Sequence, residues 1–457
     1  MARTLMVCAL IAAWPAVCLA QDPPKPTETV VRLTVQPMAA PKPALKYQLL
    51  PELKEMSPGN PILDYMRCFA EQQNFFHSKA ESDKREKWRA APLADLPLKE
   101  LHDYGRGPLT RADAAARLDT PDWQVLMKAK KEGYYLLLPE VQQLRNLASC
   151  LQLRCRVQVA ERNFDEAIVT TKTTLALSRH LGEHMTLICD LVGLAIANIA
   201  LRPVEEMIEQ PGCPNLYWAL TDLPTPFIDL RKALQGERFM HEPLFAGIET
   251  TSPTPDATLE KVVGKIEELF KADGTNTKKD ARAWLDTRAK DVSYVKSARK
   301  RLIESGLEEK AVQEFPALQV IILDEKREFE VRRDERAKWL SLPYWKVEPA
   351  ALVEGDDSLF SGFVPAFIKT KGAQARIDQR IALLCHVEAL RMYAAEHEGK
   401  LPAKLDDVKL PLPVDPFTGK AFHYEVDGPT AIIKGSPPKG EEANAAFNVR
   451  YIVTIKK

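Results

Sequence analysis

The pattern of apolar and polar positions predicts a mainly helical protein that ends in a short run of strands. Between about residues 62 and 342, apolar residues recur three and four positions apart, as they do on one face of a helix. Near the end of the chain the pattern changes to AFHYEV, TAIIKG and NVRYIVTIK, which predict three strands. The segment EVDGPT between the first two predicts a hairpin turn.

Two helices and a tight corner form the most informative part of the helical pattern. Residues 140–183 predict a helix, a corner at ERNFDEA and a second helix. At the corner, Asn163 suits a left-handed or capping conformation, Phe164 can pack, and Ala167 leaves room for the neighbouring helix. The apolar segment that follows predicts a buried helix with a kink or break at Pro203. Stacked helical hairpins, an α-solenoid similar to tetratricopeptide repeats, fit this pattern.

Changes in composition divide the chain into further parts. Recurring prolines over residues 21–60 predict an extended linker with one edge strand, TVVRLTV. The hairpin repeats occupy residues 61–250, and a strongly charged helical extension occupies residues 256–342. A connector rich in proline and aromatic residues covers residues 343–370. Residues 371–457 predict a small α+β module, in which one long amphipathic helix packs on a three-stranded antiparallel sheet.

The first residues, MARTLMVCALIAAWPAVCLA, have the features of an export signal. One early positive charge precedes an apolar run, and small residues precede Gln21, so we expect cleavage after residue 20. A retained N-terminal anchor is the alternative. Cleavage would leave a periplasmic or extracellular protein without an integral membrane span. The 63 Lys and Arg residues balance the 63 Asp and Glu residues, which argues against a nucleic-acid partner.

Export permits disulfides, and the mature chain would keep six cysteines. They are Cys68, Cys150, Cys155, Cys189, Cys213 and Cys385. Several lie in apolar helical runs, where cysteine packs as a small hydrophobic residue. Cys150 and Cys155 face different directions on one predicted helix and should not pair with each other. The sequence leaves any other pairing open.

Residues 180–184 contain the chain's one candidate for catalysis. His180, Glu183 and His184 spell H-x-x-E-H, a motif of one class of zinc peptidase. On a helix the two histidines would share a face, Glu183 would polarise a bound water, and Glu260 is a candidate third ligand. The alternative is the corner between two helices, which Gly182 and the apolar helix directly after the motif favour.

At such a corner we expect His180 to interact with the C-terminal carbonyl groups of its helix. Glu183 and His184 would then lie at the start of the next helix. We prefer this interpretation because the sequence lacks the glycine-rich strands that surround the zinc motif in such peptidases. Phosphate-binding loops, dinucleotide-binding loops and the G-x-S-x-G motif are also absent from the sequence.

Residues 390–428 resemble the C-terminal half of pseudopilin-type secretion subunits. The matching positions are Tyr393, Gly399, Pro402, Asp415, Pro416, Phe417, Gly419 and Tyr424. The whole chain resembles uncharacterised exported bacterial proteins that join helical repeats to such a tail. No long N-terminal polymerisation helix precedes it, so the resemblance implies a reused module. Some relatives of this fold bind calcium, which makes Asp406, Asp407 and Asp415 candidate ligands; a simple turn is the alternative.

Together these features predict an exported, non-catalytic scaffold of the bacterial cell envelope that binds a protein or peptide partner without a cofactor. The alternative function is a zinc-dependent metallopeptidase or other hydrolase that uses residues 180–184.

Overall fold

The structure, a computed structural model, describes residues 27–272, 280–347, 358–360 and 365–456. The predicted signal segment lies outside the described residues, and so does half of the predicted connector. The described chain is mainly helical, with a small mixed sheet of four strands, three of them near the C-terminus. The predicted fold class is confirmed at this level.

The helices and strands follow one another in four groups. The first contains β1 (Thr29–Val35), α1 (Pro61–Glu71), α2 (Gln73–His77), α3 (Lys79–Ala90), α4 (Leu98–Leu101), α5 (Thr110–Ala115) and α6 (Leu126–Glu132). The second contains α7 (Pro139–Ala160), α8 (Phe164–Leu181), α9 (Leu187–Ile208), α10 (Tyr217–Thr221) and α11 (Arg231–Met240). The third contains α12 (Asp256–Ala272), α13 (Ala281–Lys290), α14 (Val292–Glu304), α15 (Glu309–Glu314) and α16 (Ala317–Leu340). The last contains α17 (Pro365–Glu396), β2 (His423–Asp427), β3 (Thr430–Lys434) and β4 (Val449–Ile455).

Helices α7, α8 and α9 pack against one another, and the corner between the first two contains a left-handed residue and a helix N-cap. Arg162, with φ 60°, takes the left-handed conformation, and Asn163 takes the N-cap position, the other of the two places expected for it. The Asn163 N–H donates to Gln158 O at 2.8 Å, and the Arg162 N–H donates to Val159 O at 3.0 Å. This pair of bonds is the Schellman motif, which puts the left-handed residue one position earlier. Asn163 then serves as the residue before α8.

Helix α9 continues through Pro203 from Leu187 to Ile208, so of the expected kink or break, the break does not occur. The residues around the proline, including Leu201, Val204 and Met207, are buried, and their packing offsets the hydrogen bond that proline removes. Among the described residues, α9 alone is long and apolar enough to cross a membrane by length and composition. However, 61% of its most apolar window is buried inside the fold.

The sheet contains one strand more than the sequence pattern predicted. Its order is β1-β4-β3-β2; β2, β3 and β4 are antiparallel, as expected, but β1 adds a parallel edge strand. The pairing of β1 with β4 runs from Thr29 opposite Val449 to Val35 opposite Ile455. The expectation of a three-stranded antiparallel sheet is therefore corrected to a mixed sheet of four strands. The added strand is the edge strand TVVRLTV expected within the linker, and burial of Leu33 and Val35 fixes it on the sheet.

Helix α17 lies in the middle of the molecule. It contacts α9 and α10, α16 and the strand β4. Its predicted apolar side is buried at Ile377 and Val387, and so are Leu383, Cys385 and His386 elsewhere around the helix. Since protein surrounds it, α17 is buried more completely than an amphipathic surface helix. One continuous apolar core joins side chains from β1, α7–α10, α17, β3 and β4.

A fully buried ion pair fastens the C-terminal half of α17. Arg391 Nη1 lies 2.9 Å from Glu388 Oε2, and both side chains are completely shielded from solvent. Arg391 also donates to Gln36 O at 3.0 Å and to Cys213 O at 2.8 Å. The guanidinium therefore joins the segment after β1, the loop before α10, and α17.

The charged region forms a second apolar core with α11. Pro316 directly precedes α16 and separates it from α15. Helix α16 packs against α13 and α14. The six cysteines within the described residues are all free and buried.

Candidate functional site

The H-x-x-E-H motif lies across the end of a helix. Helix α8 ends at Leu181, and α9 begins at Leu187, with Thr186 before it. His180 is therefore in the last turn of α8, whereas His184 is in the loop. The expectation that His184 begins the next helix is therefore wrong. The zinc interpretation requires both imidazoles on one helical face, and this alignment does not occur.

Each imidazole has a separate neighbour. His180 Nδ1 lies 3.0 Å from Tyr65 Oη, and His184 Nδ1 lies 2.9 Å from Thr186 Oγ1. The Trp123 indole donates to the carbonyl oxygen of His180 at 3.0 Å and stands edge-on to the His184 ring. The His180 imidazole thus contacts a tyrosine instead of the carbonyl groups of its helix. Burial lowers the pKa of both imidazoles to about 4, so both are neutral at pH 7.

The two glutamates of the zinc alternative are engaged elsewhere. Glu183 is exposed, with its carboxylate 3.1 Å from Lys232 Nζ. Glu260, on α12, lies 2.9 Å from Arg282 Nη1. In the described ranges, no three His, Cys, Asp or Glu side chains come together in a group that could hold a metal ion. The donors of the zinc alternative are therefore not assembled.

The aspartates considered for calcium also have other roles. Asp415 is buried, and its carboxylate accepts the backbone N–H groups of Phe417 at 3.0 Å and Ser436 at 2.8 Å. Asp406 and Asp407 lie in a separate 3-10 turn. The contacts of Asp415 are those of a residue that fixes a turn, which was the alternative to calcium binding.

Two acidic groups near the start of α9 were not predicted from the sequence: Asp190, which is buried, and Glu237 of α11, which is half-buried. Within the described residues, neither oxygen of the Asp190 carboxyl has a hydrogen-bond partner, and neither does His184 Nε2. Burial raises the pKa of Asp190 to about 9 and that of Glu237 to about 7. Glu237 accepts the Leu187 N–H at 3.2 Å. Asp190 is therefore a neutral carboxylic acid at pH 7.

A cavity of about 550 Å³ lies between α9, α17 and the adjoining strands β1 and β4. We call it the junction cavity. Apolar side chains from the two helices form much of its wall: Leu191, Leu194, Ala195, Ala373, Ile377 and Leu383. Val31 and Val449 add to the wall from the sheet. The exposed lining residues Thr29, Asn198 and Ala446 mark its mouth. Its volume is within the range of sites for small ligands.

A hydrogen-bonded network holds one side of the junction cavity. Arg380 Nε and Nη2 donate to the Glu205 carboxylate at 2.9 and 2.6 Å. Arg380 Nη1 donates to the backbone and side-chain oxygens of Asn198 at 2.9 and 2.6 Å. The Tyr451 hydroxyl also donates to Glu205. These partners neutralise the charge of Arg380 and fix the wall before any ligand enters.

Arg376 has no such partners. Its guanidinium carbon lies 5.2 Å from the centre of the Phe447 ring, over its face. Among the described residues, no carboxylate lies within ion-pair distance of Arg376 and no acceptor is hydrogen-bonded to it. Burial lowers the pKa of Arg376, and the more distant Glu441 opposes that shift. The junction cavity therefore contains one cation without a countercharge.

The sequence analysis missed Arg376, Arg380 and Glu205. One local signal was present, because both arginines lie one helical turn apart within the apolar stripe of α17. The other lining residues come from distant parts of the chain, and no spacing rule connects them. In comparisons with known proteins, no family model, no curated protein and no solved structure matches the chain.

Proposed function

We propose that the chain is an exported, non-catalytic binding protein of the bacterial cell envelope and that a peptide segment of its partner occupies the junction cavity. The observation that carries this proposal is the unpaired Arg376 in a cavity with mostly apolar walls. Such sites combine apolar contact with a few polar groups that orient the ligand. Because Glu205 and Arg380 satisfy each other, that side of the cavity is pre-organised for binding.

A peptide suits this cavity because it borders the edge of a sheet. Strand β1 pairs with β4 on one side and with no other strand of the described chain. Thr29 and Val31 of β1 line the cavity. Since Thr29 donates its N–H to β4, the main-chain groups of Val30 and Arg32 lie on the open edge. An extended peptide can bond to them through its main chain and place side chains in the cavity.

The finer fold assignments belong to the same proposal. The packing of α7, α8 and α9 supports a repeat-like scaffold, and the hairpin of β2 and β3 beside α17 supports a reused pseudopilin-like module. The zinc-hydrolase alternative has no comparable support, since its two glutamates lie in separate surface ion pairs.

A random hexapeptide pool tests the proposal. The purified chain is incubated with the pool, separated by gel filtration, and the retained peptides are counted by mass spectrometry. Ala195→Trp fills the cavity from α9, and we expect it to reduce retention at least tenfold. Ala114→Trp adds the same side chain at an exposed position of α5 and should retain the peptides normally. Equal retention by the native chain and Ala195→Trp would overturn the proposal.

A further inference from the structure

We infer that the junction cavity recognises the free C-terminal carboxylate of a peptide whose last residues are apolar, and that Arg376 is the group that binds the carboxylate. This inference rests on the proposed peptide-binding function and names the end of the peptide that the site selects.

The charge balance of the cavity favours an anion. The lining contains two guanidinium groups and the carboxylate of Glu205, which Arg380 and the Tyr451 hydroxyl occupy. Arg376 keeps its positive charge without a carboxylate at ion-pair distance in the described chain. Glu441 is the nearby acid, and its Oε2 accepts from the Asn444 side chain at 2.7 Å. A ligand carboxylate would therefore be the first direct countercharge for Arg376.

The geometry of an arginine suits a carboxylate. A guanidinium presents parallel N–H groups that match the two oxygens of a carboxylate, and such paired bonds are among the strongest in proteins. The Phe447 ring makes a cation–π contact with the Arg376 guanidinium, and this contact uses none of the N–H donors that a carboxylate would bind. Partial burial of Arg376 strengthens the attraction, because water screens the charge less.

The surroundings of Arg376 favour apolar residues next to the carboxylate. Ala373 and Ile377 lie beside it on α17, and Leu194 faces them from α9. Burying each apolar side chain of a ligand here adds affinity in proportion to the area removed from water. A short apolar terminus fits the volume of about 550 Å³.

Strand β1 explains why the carboxylate should belong to a peptide. The outer N–H of Thr34 is already taken by Glu209 Oε1 at 3.0 Å, so the far end of this edge is covered. The end at Thr29 and Val31 borders the cavity. Thr29 itself donates its N–H to β4, so alternation along the parallel pair directs the main-chain groups of Val30 and Arg32 to the open edge. Those groups can pair with a peptide, whereas a fatty acid has no donors or acceptors along its length.

Two hexapeptide pools with identical random sequences test the inference, one with free C-terminal acids and one with C-terminal amides. We expect the native chain to retain free acids at least tenfold better than amides. Arg376→Met should remove this preference by lowering retention of the acids 10- to 100-fold, and it should leave the amides unchanged. Arg376→Lys should keep part of the preference, because it keeps the charge and loses the paired geometry.

The control is Arg67→Met, which removes an exposed arginine of α1 that does not line the cavity and should behave as the native chain. Equal retention of acids and amides, both lost in Ala195→Trp, would overturn the inference and leave the proposed function standing. Retention of neither pool above the Ala195→Trp level would overturn both. Laurate binding that depends on Arg376, without peptide binding, would also overturn both.

Discussion

Two arginines on α17 have opposite surroundings. Arg391 is fully buried, pairs with Glu388, and donates to carbonyl oxygens of two other segments. Arg376 lies toward the other end of the helix, against an aromatic ring and a cavity. A guanidinium whose donors are filled by its own chain serves the fold, whereas one whose donors are left open can serve a ligand. The same residue type thus has two roles, and hydrogen-bond satisfaction separates them.

The largest effect that we expect concerns stability at Arg391. Arg391→Met leaves the Glu388 carboxylate buried without its ion pair, so the free energy of unfolding should fall by about 3–5 kcal/mol. Arg376→Met removes no ion pair or hydrogen bond within the described chain and should change the free energy of unfolding by less than about 1 kcal/mol. Urea denaturation followed by circular dichroism measures both values. Equal losses in the two variants would contradict the distinction between the two arginines.

Asp190 extends the comparison to a buried carboxyl group that has no hydrogen-bond partner in the described chain. The folded state raises the pKa of Asp190 from an ordinary 3.8 to about 9. The unfolded state therefore releases this proton first, and the Asp190 contribution to stability falls as the pH rises from about 4 to 9. Asp190→Asn removes the cost of taking up a proton on folding and should raise the free energy of unfolding at pH 8 by about 2 kcal/mol.

The control for this prediction is Asp406→Asn, which changes an exposed aspartate. Urea denaturation at pH 5 and pH 8 should show a smaller pH dependence for Asp190→Asn than for the native chain. If Asp190→Asn raised the free energy of unfolding equally at both pH values, the Asp190 carboxyl would not stay protonated in the folded state.

The smallest effects should come from the histidine motif. His180→Ala leaves the buried Tyr65 hydroxyl without its imidazole partner and should cost about 1–3 kcal/mol. Glu183→Gln changes an exposed ion pair and should cost no more than about 0.5 kcal/mol. Thermal unfolding ranks the two variants. Elemental analysis gives the opposing test, since stoichiometric zinc that disappears in His180→Ala would favour the hydrolase alternative.

Local periodicity predicted the helices and the hairpin of β2 and β3, because those patterns depend on neighbouring residues. It did not predict the pairing of β1 with β4, since hundreds of residues separate the two strands. The motif at 180–184 was ambiguous because its geometry depends on whether the helix continues past Gly182, and it ends there. The junction cavity was not predicted either, because the residues that line it are far apart in the sequence. Its walls come from parts of the chain that only tertiary packing brings together.

The position of β4 between β1 and β3 has a consequence for folding. β1 precedes every helix described, yet its hydrogen-bonding partner comes after all of them. Closing so large a loop costs entropy before the strands gain their contacts, so this step should be slow. Until then β1 remains an unpaired, aggregation-prone edge, which makes a holding chaperone useful while the chain is being completed.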